Sequence, residues 1–249
     1  MKKRIVSILV ATLLITTLFS GCKKKEDNTL IVGTEAGFAP YEYMEGDKVV
    51  GIDMDIAQAI ADKMGKKLVI KNMDFEGALL AVQKGTIDFV AAGVSVSADR
   101  QKIMDFSSNY VDSNEAVVVN KDNQTVASID DLAGKIVGVQ QGNIADFYVE
   151  ANIETKEIRR YTMFSQAAEE LKDSKIDCIV MDQYPAQELV TANPELSILD
   201  GSLFQDQYAI AVKKGNTKLL DQINTVIQQL KDDGKIEEFY ANHTAKAAE

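Results

Sequence analysis

Few side chains in this sequence are equipped for covalent or metal chemistry, and they are scattered along it. Cys178 sits in the apolar run 176–181, IDCIVM, where a small buried hydrophobe is expected rather than a nucleophile. The single histidine, His243, lies near a polar, alanine-rich C-terminus. A zinc site or a Cys/His dyad would need partners that this composition does not supply. Asp53 and Asp55 in Gly51-Ile52-Asp53-Met54-Asp55 could suggest a paired-carboxylate site. At the start of a helical stripe they read instead as a helix cap and a first-turn charge, both favourable at a helix N-terminus. No Gly-x-x-x-x-Gly-Lys or Gly-x-Gly-x-x-Gly phrase is present, so nothing points to a nucleotide. No metal and no cofactor are expected.

Short β-branched runs alternate with amphipathic segments, the pattern of an α/β protein with mostly parallel strands. Strands are expected at 30–33, 67–72, 87–92, 116–120, 136–140, 176–181 and 208–212. Ile52, Ile56, Ile60 and Met64 recur at helical spacing, as do Leu220, Ile223, Ile227 and Leu230, and both stripes read as core. Gly65 and Gly234 sit where helices end. The chain also repeats itself: residues 75–93 match 164–182 at a constant offset of 89, pairing Phe75 with Phe164 and Asp88 with Asp177. Ile31-Val32-Gly33 echoes Ile136-Val137-Gly138 at a different offset. Two similar α/β lobes are expected. Parallel sheets bind ligands outside the carboxyl ends of their strands, which singles out loops 34–41, 92–100, 140–145 and the surroundings of Asp182. The repeat gives Gly93 and Asp182 equivalent places, one in each lobe.

The N-terminus reads as an export signal over 1–21, with Lys2, Lys3 and Arg4 before an apolar run too short to span a bilayer comfortably. Phe19-Ser20-Gly21-Cys22 resembles the bacterial lipoprotein cleavage box, which implies lipidation of Cys22 and a tether over 22–28. Cleavage would remove three positive charges and no negative one, taking the net charge from −11 to −14. So acidic a body should repel nucleic acid and anionic headgroups. With Cys22 lipidated, Cys178 has no disulfide partner.

A series of phrases, in order along nearly the whole chain after the signal, resembles the extracellular solute-binding proteins, family 3, which bind polar amino acids for ABC importers. They include VGTEAGFAPY at 32–41, GIDMD at 51–55, SVSADR at 95–100, DFS at 105–107, LAGK at 132–135, GVQQG at 138–142, Asp182, and Gly234-Lys235 before Phe239-Tyr240. The resemblance implies a two-lobed periplasmic-binding-protein fold of type II. A ligand cleft would lie between the lobes, with two crossover strands as hinge. Lobe one would comprise 29–111 and 209–249, and lobe two 116–204.

It also implies roles for individual residues. A free amino acid carries a carboxylate and an ammonium on one carbon, and Arg100 and Asp182 would hold them, Arg100 through its planar fork. Ser95, with the backbone amides near Ser97 and Ile144, would add donors, and the Gly93 carbonyl would share the ammonium with Asp182. Phe38 would cover the ligand's side chain. Phe75 reads equally as the opposing wall or as core, because its repeat partner Phe164 suggests a packing role common to both lobes. Glu35 matches a position near the ligand's distal end, where an anion favours a cationic or amide-bearing side chain. Gln140 and Asn143 are neutral and offer no second cation to an acidic ligand. Lysine or arginine is therefore the expected ligand, with glutamine next. The implied partners are ABC transporter permease subunits, and ATP hydrolysis would belong to that assembly. The protein would be a monomer anchored by lipid on Cys22 at the extracellular or periplasmic face of the membrane. An enzyme on the same fold, similar to cyclohexadienyl dehydratases, is the alternative, with Glu35 as a general acid.

Overall fold

The computed structural model describes residues 28–247. The signal over 1–21, Cys22 and the charged run behind it lie outside the described residues. Strand β1 (Thr29–Thr34) leads into a small antiparallel sheet of β2 (Gly37–Phe38), β3 (Glu42–Glu45) and β4 (Lys48–Val50). Then follow α1 (Ile52–Lys63), β5 (Lys67–Asn72), α2 (Phe75–Lys84), β6 (Phe89–Val90), α3 (Ala98–Ile103) and β7 (Met104–Phe106). The long strand β8 (Val111–Asn120) crosses to a second sheet. That sheet is built with β9 (Ile136–Gln140), α4 (Ile144–Asn152), β10 (Glu157–Tyr161), α5 (Phe164–Lys172), β11 (Cys178–Asp182), α6 (Gln183–Ala192) and β12 (Leu196–Ile198). The chain returns through β13 (Gln205–Tyr208) to β14 (Ala211–Lys213), α7 (Thr217–Asp232) and α8 (Lys235–Ala247).

The sheets have strand orders β5-β1-β6-β14-β7 and β10-β9-β11-β8-β12. In each, two pairings are parallel and two antiparallel: four strands run one way and a single strand, β14 or β8, runs against them, so the sheets are mixed. The expected strand at 208–212 divides in two. Gln205–Tyr208 pairs with the first half of β8, and Ala211–Lys213 joins the first sheet, because the chain passes between sheets at Ala209 and Ile210. Likewise the strand expected at 116–120 extends back to Val111, its early half paired with β13 and its later half built into the second sheet. These two crossing segments join the lobes of the two-lobed α/β fold.

The internal repeat is a repeat of structure. Ile31 N–H donates to the Asp88 carboxylate at 2.7 Å, and Ile136 N–H donates to Asp177 at 2.7 Å. A Cβ at Gly33 would come within 2.5 Å of the Ile87 side chain, and one at Gly138 within 2.7 Å of that of Ile176. The same aspartate therefore ties the same strand in both lobes, beside a glycine that admits the same isoleucine.

Helix α1 buries Ile52, Ile56 and Ile60, and α7 buries Leu219, Ile223, Val226 and Ile227. Each such side chain contributes about 1.5–3 kcal/mol on leaving water. Leu220 and Leu230, expected in the core stripe of α7, are half-buried at its margin. His243 of α8 is buried against α1, with its Nε2 2.9 Å from Asp55 and its Nδ1 3.0 Å from the Tyr43 hydroxyl. Asp55 is the first-turn charge the sequence suggests, but Asp53 is not a cap. Gly51 occupies that position, and no side chain caps the helix. Asp53 points inward, fully buried, accepting from the Tyr110 hydroxyl at 2.7 Å and from Gly93 N–H at 2.9 Å.

Candidate functional site

Glu35, Gly93, Gln140 and Asp182 stand at or just beyond the carboxyl ends of β1, β6, β9 and β11, and the two lobes meet over them. Gln140 Nε2 donates to Glu35 Oε2 at 3.0 Å and to the Thr162 carbonyl at 3.1 Å. Phe38, on the short strand β2, stacks on Phe164 from the opposite lobe, with ring centroids 6.0 Å apart and planes inclined by 26°. Gly93 takes φ +54°, and a Cβ there would lie 2.7 Å from the Phe38 ring. Glycine is thus needed both for the turn and for the aromatic beside it. Asp53 holds that turn from beneath.

Arg100 lies in α3, whose N-cap Ser97 accepts from the Arg100 N–H at 3.2 Å. Its guanidinium is 5.4 Å from the centroid of the Phe75 ring, within cation–π range. Nη1 donates to the Ser95 carbonyl at 2.7 Å, and Nη2 reaches across to the Gly142 carbonyl at 2.8 Å. Phe75 also belongs to a lobe-one core cluster with Ala78, Val82 and Val90, which is the packing role its repeat partner suggests. Asn143 spends its side-chain oxygen capping α4 at Ala145 N–H, 3.0 Å away, and Ile144 opens that helix half-buried. A groove of about 760 Å³ opens beside Arg100, lined in part by Ile103, Ile144 and Phe147.

Asp182 is buried at the end of β11, where one carboxylate oxygen accepts from the Tyr208 hydroxyl. Its other oxygen has no partner. Two carboxyl groups from the crossing strands, Glu115 and Asp206, lie alongside, and the three can each bring an oxygen within 4.8 Å of the others. That spacing would admit a metal ion, but three side chains are only about half the oxygen set that calcium takes.

Electrostatically the cleft is lopsided. Among the described residues, Arg100 is the single lysine or arginine that is fully buried, while Glu35, Glu42, Asp53, Glu115, Asp182 and Asp206 are all buried. Burial lowers Arg100 to about 10, which leaves it charged at neutral pH. Burial raises Glu35 to about 7, against the opposing hydrogen bond from Gln140. Desolvation likewise pushes Asp182 and Glu115 upward, and their proximity couples them. Such shifts are stored electrostatic work that a cation in the cleft would release.

Of the expected residues, the structure brings Glu35 to Gln140, Phe38 to Gly93, and Phe75 and Ser95 to Arg100. Asn143 is taken up in capping α4, Ile144 lines the groove beside Arg100, and Asp182 lies at the end of β11 with Tyr208. Phe164, Glu115, Asp206 and Tyr208 also stand where the lobes meet, and no motif in the sequence marks them as site residues. The repeat signalled Phe164, since Phe75 and Phe164 both begin the helix facing the cleft. The other three lie in the crossing strands, where no periodicity marks them.

The family model of the bacterial extracellular solute-binding proteins, family 3, matches residues 30–246. The arginine-binding extracellular protein ArtP of Bacillus subtilis is 32% identical over 226 residues, covering 88% of this chain and 85% of ArtP. The L-cystine-binding protein TcyJ of Escherichia coli is 31% identical over 218 residues, covering 86% and 82%. Among solved structures, the amino acid ABC transporter substrate-binding protein AbpA of Streptococcus pneumoniae, bound to L-arginine, superposes with a TM-score of 0.84 at 30% identity, covering 89% of this chain and 97% of AbpA. Two lobes built on one repeated strand–helix–strand unit, meeting over a charged cleft, and a match spanning both, place this chain in the bacterial extracellular solute-binding proteins, family 3.

Proposed function

We propose that this protein captures an amino acid with a cationic side chain, lysine or arginine before glutamine, and delivers it to the permease subunits of an ABC importer. Lobe one, 29–111 with 209–249, and lobe two, 116–204, close on the ligand. Arg100 takes the α-carboxylate, with Ser95 and the amides near Ser97 and Ile144 assisting, and Asp182 with the Gly93 carbonyl takes the ammonium. Phe38 and Phe75 wall the side chain, Gln140 and Asn143 line the second lobe, and Glu35 anchors the distal cation. The observation that carries this reading is the excess of buried carboxyl groups over the one buried guanidinium, with Glu35 held at about 7. A cationic ligand relieves that excess, whereas an acidic one would add to it. ArtP and AbpA, named for or bound to arginine, support the same preference. Lipid on Cys22 would keep the monomer at the outer face of the membrane beside its importer.

A thermal-shift screen of the common L- and D-amino acids tests the reading, because ligand-linked stabilisation orders the affinities. L-Arginine or L-lysine should give the largest shift. A larger shift with glutamate, or none with any amino acid, would overturn it. Cys22→Ser should release the protein from the membrane fraction. Glu35 at about 7 also suits a general acid, so turnover of prephenate or arogenate by the purified protein would favour the enzymatic reading instead.

A further inference from the structure

Glu115 stands directly opposite Asp182 in the β8–β11 register, and both side chains are buried. Both Glu115 carboxyl oxygens, Oδ2 of Asp182 and Oδ2 of Asp206 are enclosed without a partner. The main chain of Glu115 is fully used, its N–H donating to the Phe204 carbonyl and its own carbonyl accepting from Leu203 N–H, both at 2.9 Å. The unpartnered atoms are therefore the carboxyl groups alone. Two buried carboxylates this close cannot both ionise, and the favoured arrangement leaves a proton between them.

The surroundings decide which group keeps that proton. Asp182 receives the Tyr208 hydroxyl, which stabilises its anion, whereas neither Glu115 oxygen has any donor. The groups around Glu115 are Asp182 on β11, Asp206 and Tyr208 on β13, Ser113 on its own strand, and, further off on α3, Arg100, whose positive charge is felt by Asp206 and Asp182 without contact. None of them is a donor aimed at Glu115.

We propose that Glu115 is a positioning residue that carries a proton and donates it in a hydrogen bond to Asp182, holding Asp182 ionised and aimed for the ligand's ammonium. A protonated carboxyl offers one O–H donor, and a carboxylate oxygen accepts more than one hydrogen bond, so the ammonium can share the same atom. The proposal rests on the reading of Asp182 as the ammonium anchor. Burial first, then the charges of Asp182 and Asp206, raise Glu115 in the direction the geometry requires. Because β8 and β11 are adjacent strands of one sheet, the pair persists whether the cleft is open or closed.

Glutamine at 115 would supply an N–H donor of similar reach that does not titrate, and alanine would supply none. With L-arginine as probe, calorimetry should find Glu115→Gln within about threefold of wild type at neutral pH, and Glu115→Ala at least about tenfold weaker. At alkaline pH the wild type should weaken relative to Glu115→Gln by about tenfold per pH unit once Glu115 ionises, a comparison in which titration of the ligand itself cancels. The infrared difference spectrum of ligand-free wild type minus Glu115→Gln at neutral pH should show the carbonyl band of a protonated carboxyl. Collapse of Glu115→Gln binding at neutral pH, parallel pH profiles, or absence of that band would overturn the proposal. So would calcium chloride alone stabilising wild type but not Glu115→Gln, since the carboxyls would then share a metal ion. If wild type binds no amino acid, the ammonium-anchor reading fails, and the infrared band alone decides whether Glu115 holds the proton.

Discussion

Replacing Glu35 by glutamine removes the one charge that the proposed function places at the distal end of the ligand. Glu35 is buried, its Oε2 is 3.0 Å from Gln140, and burial holds its carboxyl at about 7. A cationic side chain beside it would return the carboxyl to its ordinary range near 4.5. Glu35 sits high without the cation and low with it, so binding expels a proton and strengthens as pH rises, up to about 7. Between about pH 5 and pH 8 this carboxyl alone should tighten L-arginine binding roughly 70-fold. By the same linkage it contributes stability to the ligand-free cleft at acid pH that is lost as pH rises through about 7. Leaving a buried ligand cation unpaired costs about 3–5 kcal/mol, so Glu35→Gln should weaken L-arginine by about 100- to 3,000-fold at the higher pH. The loss should shrink toward acid pH, where the wild-type carboxyl is already neutral. L-Glutamine, which needs no anion, should change by no more than about fivefold. Calorimetry of both ligands at both pH values gives all four numbers. Equal losses for the two ligands, or the same loss of arginine affinity at both pH values, would refute Glu35 as a cation anchor.

Two further predictions follow from close geometry. Arg100→Lys replaces a fork that spans the Ser95 and Gly142 carbonyls with a single point charge, and should weaken ligand binding by about 10- to 100-fold while the denaturation midpoint moves little; an affinity within threefold of wild type would show that the fork is not used. Gly51→Ala must hold φ at +132° and place a Cβ 2.1 Å from the Tyr41 carbonyl oxygen, so urea denaturation should show a loss of at least about 3 kcal/mol; a loss under about 1 kcal/mol would mean the backbone shifts freely there.

Local sequence decided much of the framework. The strands at 67–72 and 136–140 are bounded by their own β-branched runs, and the structure places them at those same residues. Gly65 and Gly234 adopt φ of +62° and +65° just past α1 and α7, as helix-ending glycines do. Asp53 misled because its position in sequence suits a first-turn acid. Which way that acid points depends on Tyr110 and the Gly93 turn, far along the chain, which supply the donors that draw it inward.

By itself the sequence determined two copies of one strand–helix–strand unit, because the apolar spacing, the glycine beside the isoleucine and the aspartate that ties the strand are all local to each copy. It also fixed which loops stand at strand ends, and so the places of Glu35, Gly93, Arg100 and Asp182. Tertiary structure alone decided that Phe164 meets Phe38 and that Glu115, Asp206 and Tyr208 close around Asp182. Glu115, Asp206 and Tyr208 sit in two crossing strands whose inward faces alternate, and which face turns inward is set by the partner strand rather than by the residues themselves. A polar stretch such as 111–115 reads as a loop until pairing with β13 buries Ser113 and pairing with β11 buries Glu115, and only those long-range pairings turn a surface carboxyl into a buried acid beside Asp182.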